Sequence, residues 1–203
     1  LFANQLAISI IRKFNQRKKG VRINNKYKIL NKFVKNLPFI LTNTQKKSIN
    51  EINNDLSSEY QMIRLLQGDV GSGKTIVSIV GMLNTYESGY QSAIMAPTEI
   101  LANQHYETLK NFLNLYPINI ILLSGKDKGK IRNEKILKIL NGKANIIVGT
   151  HALIQEDVNF SKLGFVVIDE QHRFGVHQRL AFTYKGLKPN LLVMTATPIP
   201  RTL

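Results

Sequence analysis

Six short apolar runs follow one another from residue 62 onward, and longer amphipathic segments separate most of them. Each run is apolar without a break. A strand with one solvent-exposed face would instead alternate apolar and polar residues. Unbroken apolar strands are typical of a parallel sheet that is covered on both faces. Strands that alternate with helices predict an α/β, doubly wound domain. The predicted strands lie at 62–67, 92–97, 118–124, 145–150, 164–169 and 190–196.

The chain before residue 62 has a different pattern. Residues 1–19 place apolar side chains on one helical face, and basic residues gather toward the end of that segment. Residues 20–37 are basic, rich in asparagine and weakly patterned, which predicts a linker. After Pro38, Thr42 and Gln45 have the spacing of a helix capping box. We therefore expect a basic helix and linker over 1–36 and an α/β domain over 37–203.

Composition narrows the class of protein. The chain has 203 residues and a hydrophobic fraction of 43%, enough for a real core in one domain or two small ones. No apolar run is long enough to span a bilayer. Cysteine is absent, which excludes disulfides and cysteine–zinc sites and suits a reducing cytoplasm, the expected location.

Positive charge is localised along the chain. The formal net charge is +15, and residues 1–47 hold 12 Lys and Arg but neither Asp nor Glu. A second basic cluster occupies 126–143. Localised positive charge suits a polyanion such as nucleic acid, because neutralised phosphates release counterions. A solvated helix face explains the second cluster equally well. Its members are Lys126, Lys128, Lys130, Arg132, Lys135, Lys138 and Lys143.

The segment "GDVGSGKT" at 68–75 carries the strongest chemical signal. It matches Gly-x-x-x-x-Gly-Lys-Ser/Thr between a predicted strand and a predicted helix that begins near Gly73. Glycines let consecutive backbone N–H groups turn inward around phosphate oxygens, and the helix N-terminus adds partial positive charge. In this motif Lys74 reaches the β- and γ-phosphates and the Thr75 hydroxyl is a ligand of Mg²⁺. The predicted nucleotide-binding residues are Gly68, Asp69, Val70, Gly71, Ser72, Gly73, Lys74 and Thr75.

Two adjacent acids end the apolar run "FVVI". Asp169 and Glu170 stand where the carboxyl ends of parallel strands form a ligand crevice. Mg²⁺ prefers oxygen ligands, so we assign Asp169 as its contact, partly through water. Glu170 is the candidate general base that polarises the attacking water. The predicted catalytic residues are therefore Lys74, Asp169 and Glu170.

These motifs together resemble those of superfamily 2 helicases. "GDVGSGKT" and "DEQH" are similar to motifs I and II, "MAPTEILANQH" at 95–105 to motif Ia, and "TAT" at 195–197 to motif III. "LLSGKDKGK" falls where motif Ib belongs, "GTHALIQ" is similar to the next block, and "PFILTNTQ" to the adenine motif. "IDEQHRFGVHQR" and "MTATPIPRTL" resemble most closely the RecG family of bacterial branch-migration DNA helicases. The resemblance covers roughly residues 37–203.

The transcription–repair coupling factor is the nearest rival family, and the primosomal helicase PriA is a more distant third. The coupling factor shares "HRFGV" and "TATPIPRTL". It usually has a second Glu in place of Gln171, a Phe in place of Ser72, and Thr in place of Glu99. All three differences favour the RecG family.

The resemblance also implies a role for individual residues. Gln45 would recognise adenine, and Phe39 would pack near the base. His172 would couple the nucleotide site to Thr195 and Thr197. The DNA track would contain Pro97, Thr98, Ser124, Gly125 and Thr150, mostly through phosphates.

Other interpretations of these residues stay open at this level. Gln45 is also explained as a helix cap alone, and His172 as a structural histidine. His151 and His177 lack metal-site spacing, so they are structural or phosphate-contacting. Arg173 and Arg179 fit either pairing with acids or contact with DNA.

The resemblance predicts an ATP- and Mg²⁺-dependent helicase or translocase acting on branched DNA. The sequence ends just after motif III, so we expect a single RecA-like lobe without the second lobe or the wedge domain. A second lobe supplies the arginine that stabilises the transferred phosphoryl group, so we expect slow hydrolysis. The alternative for this chain is a nucleotide-gated DNA-binding module.

Overall fold

The structure is a computed structural model that describes residues 19–24, 28–170, 185 and 188–196. The helices in this part of the chain are α1 (Lys28–Lys35), α2 (Asn43–Ser57), α3 (Lys74–Glu87), α4 (Glu99–Leu113) and α5 (Gly129–Leu140), with a 3₁₀ turn at His151–Ile154. The strands are β1 (Ile63–Gln67), β2 (Gln91–Met95), β3 (Ile120–Leu123), β4 (Ile146–Gly149), β5 (Leu163–Asp169) and β6 (Asn190–Thr195).

The six strands form one sheet in the order β1-β6-β5-β2-β4-β3, and every pairing is parallel. Each predicted strand is present within a residue or two of its predicted bounds. The strands β2, β4, β5 and β6 are buried along their whole length, which is why their sequences do not alternate. The α/β prediction is confirmed.

Helices cover both faces of this sheet. On β5, Phe165 and Val167 face a core that α1, α2, α3 and α4 complete. Their neighbours Val166 and Ile168 face a second core with Ile139 of α5. Successive strand side chains point to opposite faces, so each buried strand supplies both cores.

The linker prediction for residues 20–37 is wrong over much of its length. Residues 28–35 form α1, whose Leu30 and Phe33 are buried, while Val21 and Ile23 enter the same core. Ile29, Leu30, Phe33 and Val34 of α1 have helical spacing, but the segment is only eight residues long and lies among lysines and asparagines, which led to the linker prediction. Packing of Phe33 against Phe112 and Tyr116 stabilises the helix in place.

Asn190 fixes the segment before α1 to the sheet. Its Nδ2 donates to Val21 O at 2.8 Å and to Gly164 O at 3.3 Å. Its Oδ1 accepts from Met62 N at 2.8 Å. The side chain is fully buried, so these bonds satisfy a polar group inside the core.

The predicted helix over 1–19 lies almost entirely outside the described residues. Within the described chain, no helix is both long and apolar enough to cross a membrane.

Candidate functional site

The motif at 68–75, named here the P-loop, connects β1 to α3, as its sequence context predicted. Gly73 precedes the first residue of α3, and both Gly71 and Gly73 have positive φ, at 80° and 84°. Residues with a Cβ rarely adopt this conformation, so the two glycines allow the tight turn. Backbone N–H groups at the start of a helix have no partner within the helix and are available to an anion.

Lys74 lies across the mouth of this loop. Its Nζ donates to Gly68 O at 2.5 Å and to Asp69 O at 2.9 Å. Asp69, Val70, Gly71 and Ser72 are exposed, while Gly68, Gly73, Lys74 and Thr75 are half-buried. The loop therefore presents its backbone to solvent, with the ammonium group held at its edge.

The end of β6 supports the P-loop directly. Thr195 O accepts from Gly68 N at 3.2 Å, and Thr195 pairs in register with Gln67. Thr195 is buried, and this contact uses its backbone oxygen. The strand that carries predicted motif III is thus hydrogen-bonded to motif I.

Gln45 both caps α2 and contacts the P-loop. Its Oε1 accepts from Thr42 N at 2.9 Å, and Thr42 Oγ1 accepts from Gln45 N at 3.2 Å, which confirms the capping box. Its Nε2 donates to Ser72 O at 2.9 Å. The capping interpretation is therefore incomplete. Phe39 is 42% exposed just before this helix, beside Ile40, which is 88% exposed.

Asp169 ends β5 in a fixed orientation. Its Oδ2 lies 2.7 Å from His105 Nε2, and its Oδ1 accepts from Glu170 N at 3.1 Å. Glu170 has φ of 51°, a left-handed conformation that is unusual for a residue with a side chain. Strained backbone of this kind concentrates at functional sites.

The P-loop, Asp169 and Glu170 line one cleft of about 530 Å³, which is within the usual range for ligand sites. Mg²⁺ commonly binds through one or two protein oxygens together with substrate phosphates and water. The described residues contain no group of three or more His, Cys, Asp or Glu that could hold a metal alone. Thr75 and Asp169 fit the phosphate-dependent kind of Mg²⁺ site. The lining residues are Val70, Gly71, Lys74, Thr75, Leu101, Gln104, His105, Thr108, Asp169, Glu170, Met194 and Ala196.

His105 is the functional candidate that the sequence analysis missed. It stands on the buried side of α4, in line with Ala102 and Leu109. A histidine at a position where the helical period predicts an apolar residue was the available signal. That signal shows a buried polar side chain without revealing its partner.

The predicted DNA-track residues follow the carboxyl ends of three neighbouring strands. Pro97 and Thr98 come after β2, Ser124 and Gly125 after β3, and Thr150 after β4. The first three are half-buried and Gly125 is exposed. Thr150 is only 3% exposed, and within the described chain its Oγ1 has no hydrogen-bond partner.

An ion pair joins two of these loops. Lys126 Nζ lies 2.8 Å from Glu99 Oε2, and the hydrogen bond and charge of Glu99 raise the pKa of Lys126. Thr98 caps α4 by accepting from Leu101 N at 3.3 Å. Elsewhere in the basic cluster, Arg132 pairs with Asp157 and Lys135 with Asp127. The remaining members, Lys128, Lys130, Lys138 and Lys143, are exposed.

Several predicted residues lie outside the described chain. They are His172 and Thr197 of the predicted coupling set, together with Gln171, Arg173, His177 and Arg179.

A family model described as DEAD/DEAH box helicase matches residues 42–203. The chain belongs to the DEAD/DEAH box helicase family. Over the whole of this helicase chain, the ATP-dependent DNA helicase RecG of Thermotoga maritima is 49% identical and that of Haemophilus influenzae is 47% identical. The chain spans only 26% and 30% of those two proteins. The resemblance to the RecG family is thereby confirmed.

Two solved structures match the fold of this helicase chain. A structure of RecG bound to a three-way DNA junction matches with a TM-score of 0.84 and 44% identity, over 99% of this chain and 27% of that one. Yeast dbp5, in a complex with nup159, gle1, ip6 and adp, matches with a TM-score of 0.62 over 84% of this chain and 46% of that one. At 18% identity, the second match shows the RecA-like helicase fold alone.

Proposed function

We propose that this chain is the ATP-binding motor lobe of an ATP-dependent DNA helicase of RecG type that acts on branched DNA. The observation that carries the proposal is the meeting of Lys74, Thr75 and Asp169 at one cleft. Asp169 stands far from Lys74 and Thr75 in the sequence, and the parallel sheet brings the ends of β1 and β5 to the same edge. A P-loop beside a strand-end acid is the arrangement that phosphoryl transfer requires.

Each residue of the cleft has a distinct task in this proposal. Lys74 moves from the carbonyls of Gly68 and Asp69 to the β- and γ-phosphates. The Thr75 hydroxyl and the Asp169 carboxylate would hold Mg²⁺, Asp169 partly through water. Bound Mg²⁺ neutralises charge that develops on the phosphates.

Glu170 accepts a proton from the attacking water. It follows Asp169 directly, and its left-handed backbone turns the chain away from the strand direction at the cleft. A general base must reach the proton that it abstracts, either directly or through one water molecule. We infer that the strained turn supports this placement.

Gln45 and Phe39 complete the nucleotide site in the proposal, with Gln45 reading the adenine edge. Each polar atom of the Gln45 amide makes one bond in the structure. A primary amide carries two N–H donors and an oxygen with two lone pairs, so one donor and one acceptor position remain for the base.

The DNA track runs along the loops after β2, β3 and β4, with Pro97, Thr98, Ser124, Gly125 and Thr150 as its proposed residues. Phosphate contacts at these loops would fix the lobe on DNA without reading sequence. Thr195 links this edge to the nucleotide through its contact with Gly68. His172 and Thr197 remain part of the proposed coupling set.

The alternative of a transcription–repair coupling factor has less support, because both relatives reported above are RecG proteins. A nucleotide-gated DNA-binding module would use the same cleft without productive turnover. Steady-state ATPase measurements on the chain, with and without a three-way junction, separate that alternative from a working motor.

The test is calorimetric titration of ATP into the chain and into Lys74→Ala, with Mg²⁺ and with EDTA. We expect ATP binding that Mg²⁺ strengthens and that weakens at least about tenfold in the variant, because a charged hydrogen bond is lost. The proposed site would be contradicted if EDTA left ATP binding by the wild-type chain unchanged and Lys74→Ala bound ATP as tightly as the wild type. Fluorescence anisotropy tests the proposed substrate. It compares the affinity of the chain for a three-way DNA junction with its affinity for an unbranched duplex of equal length.

A further inference from the structure

A buried histidine contacts the acid that the proposed function assigns to Mg²⁺. His105 Nε2 lies 2.7 Å from Asp169 Oδ2, and the side chains are only 11% and 13% exposed. The two residues are far apart in the sequence, so the tertiary fold, in which α4 packs on β3 and β4, creates the contact. Both residues also line the proposed nucleotide cleft.

The donor in this contact follows from the chemistry of a carboxylate that binds a metal, which is ionised. An ionised carboxylate only accepts hydrogen bonds, so a 2.7 Å contact places the hydrogen on His105 Nε2. Asp169 Oδ1 accepts from Glu170 N, so each oxygen of the carboxylate has one fixed donor. Each oxygen keeps a second lone pair that can face a metal ion or its water.

We propose that His105 is a positioning residue, which holds the Asp169 carboxylate in the orientation that receives Mg²⁺. The inference rests on the proposed function, because it concerns the same cleft. Carboxylates that bind metals are in turn hydrogen-bonded, and removal of such an outer partner commonly lowers metal affinity 10- to 100-fold. His105 supplies this second contact from a rigid helix.

The position of His105 on α4 explains why the orientation can be held firmly. Ala102, Leu109 and Leu113 bury the same side of α4 against the sheet. Thr98 caps the first turn of that helix, about two turns before His105. The imidazole therefore has little freedom to move away from Asp169.

The test uses Mn²⁺ as a spectroscopic probe for the metal and measures its affinity by electron paramagnetic resonance, with ADP present. His105→Ala removes the donor. His105→Gln restores it, because Gln Nε2 is the same number of bonds from Cα as His Nε2. Asn103→Ala is the matched control on α4, since Asn103 is exposed and donates to Glu99 O. Thermal denaturation and ADP binding in EDTA are measured for every variant.

We expect His105→Ala to weaken Mn²⁺ binding about 10- to 100-fold. ADP binding in EDTA should be unchanged, and His105→Gln should recover most of the affinity for Mn²⁺. Wild-type Mn²⁺ affinity in His105→Ala would overturn the inference. Equal losses in His105→Ala and His105→Gln, accompanied by weaker metal-free ADP binding or a lower melting temperature, would assign His105 to packing alone and also overturn it. Failure of the wild-type chain to bind ADP and Mn²⁺ would instead contradict the proposed function.

Discussion

Gln45 Nε2 donates a hydrogen bond to Ser72 O at 2.9 Å, which joins the first turn of α2 to the P-loop. The same side chain accepts from Thr42 N, so one amide completes the cap of α2 and supports the phosphate-binding loop. Folding of α2 and the shape of the P-loop are thereby linked through a single residue.

Gln45→Glu separates these two tasks. Glutamate also completes a capping box, but it cannot donate to Ser72 O and places an acceptor opposite that carbonyl. We expect a small change in melting temperature and about a tenfold weaker binding of ATP, equivalent to about 1.4 kcal/mol. Gln45→Ala should lose both the cap and the contact, and calorimetry with thermal denaturation distinguishes the two variants. A large stability loss in Gln45→Glu would contradict the separation.

Gly71→Ala and Gly73→Ala form a matched pair within the P-loop. Both glycines have φ near 80°, so each substitution carries a backbone cost of about 1–2 kcal/mol. A Cβ at position 71 meets nothing within 4 Å, whereas a Cβ at position 73 would clash with Gln45 Nε2. Denaturant unfolding should therefore show a larger loss of unfolding free energy for Gly73→Ala. Equal losses in the two variants would mean that Gln45 moves aside without cost.

Asn190→Ala should release the segment before α1. The substitution leaves Val21 O and Met62 N without their buried partner, which costs about 2–3 kcal/mol of unfolding free energy. Hydrogen exchange at Ile23 N, which bonds to Leu56 O, should become faster than exchange within β5. Asn190→Asp keeps the acceptor for Met62 N. It places a carboxylate oxygen against the carbonyl oxygen of Val21, so it should also be destabilising. If Ile23 N and the amides of β5 were equally protected from exchange in Asn190→Ala, other contacts would hold the segment before α1.

Asp127 is predicted to hold the loop that carries Ser124 and Gly125. Its Oδ2 accepts from Ser124 N at 2.9 Å, and its Oδ1 lies 2.6 Å from Lys135 Nζ. Asp127→Ala should lower the unfolding free energy by about 1–3 kcal/mol and weaken DNA binding, because the loop loses its support. Lys126→Ala is the control for stability alone, since its ion pair with Glu99 lies at the surface and should contribute little to the unfolding free energy. If fluorescence anisotropy shows that Asp127→Ala binds a three-way junction with wild-type affinity, this loop is not part of the DNA track.

The sequence was informative wherever one local rule decides the structure. Unbroken apolar runs predicted the six strands, and Thr42 with Gln45 predicted the cap of α2. The linker prediction failed for residues 28–35, because the lysines and asparagines there drew attention away from four apolar residues at helical spacing, of which Leu30 and Phe33 are buried.

The chemistry of the site divides in the same way. By itself, the sequence determined the P-loop, the acids that end β5 and the helicase family, because each depends on residue types at short fixed spacings. Only the tertiary structure decided that Gln45 reaches Ser72, that Thr195 supports Gly68 and that His105 holds Asp169. These contacts join residues from separate elements, and the packing of helices on the twisted sheet sets their distances.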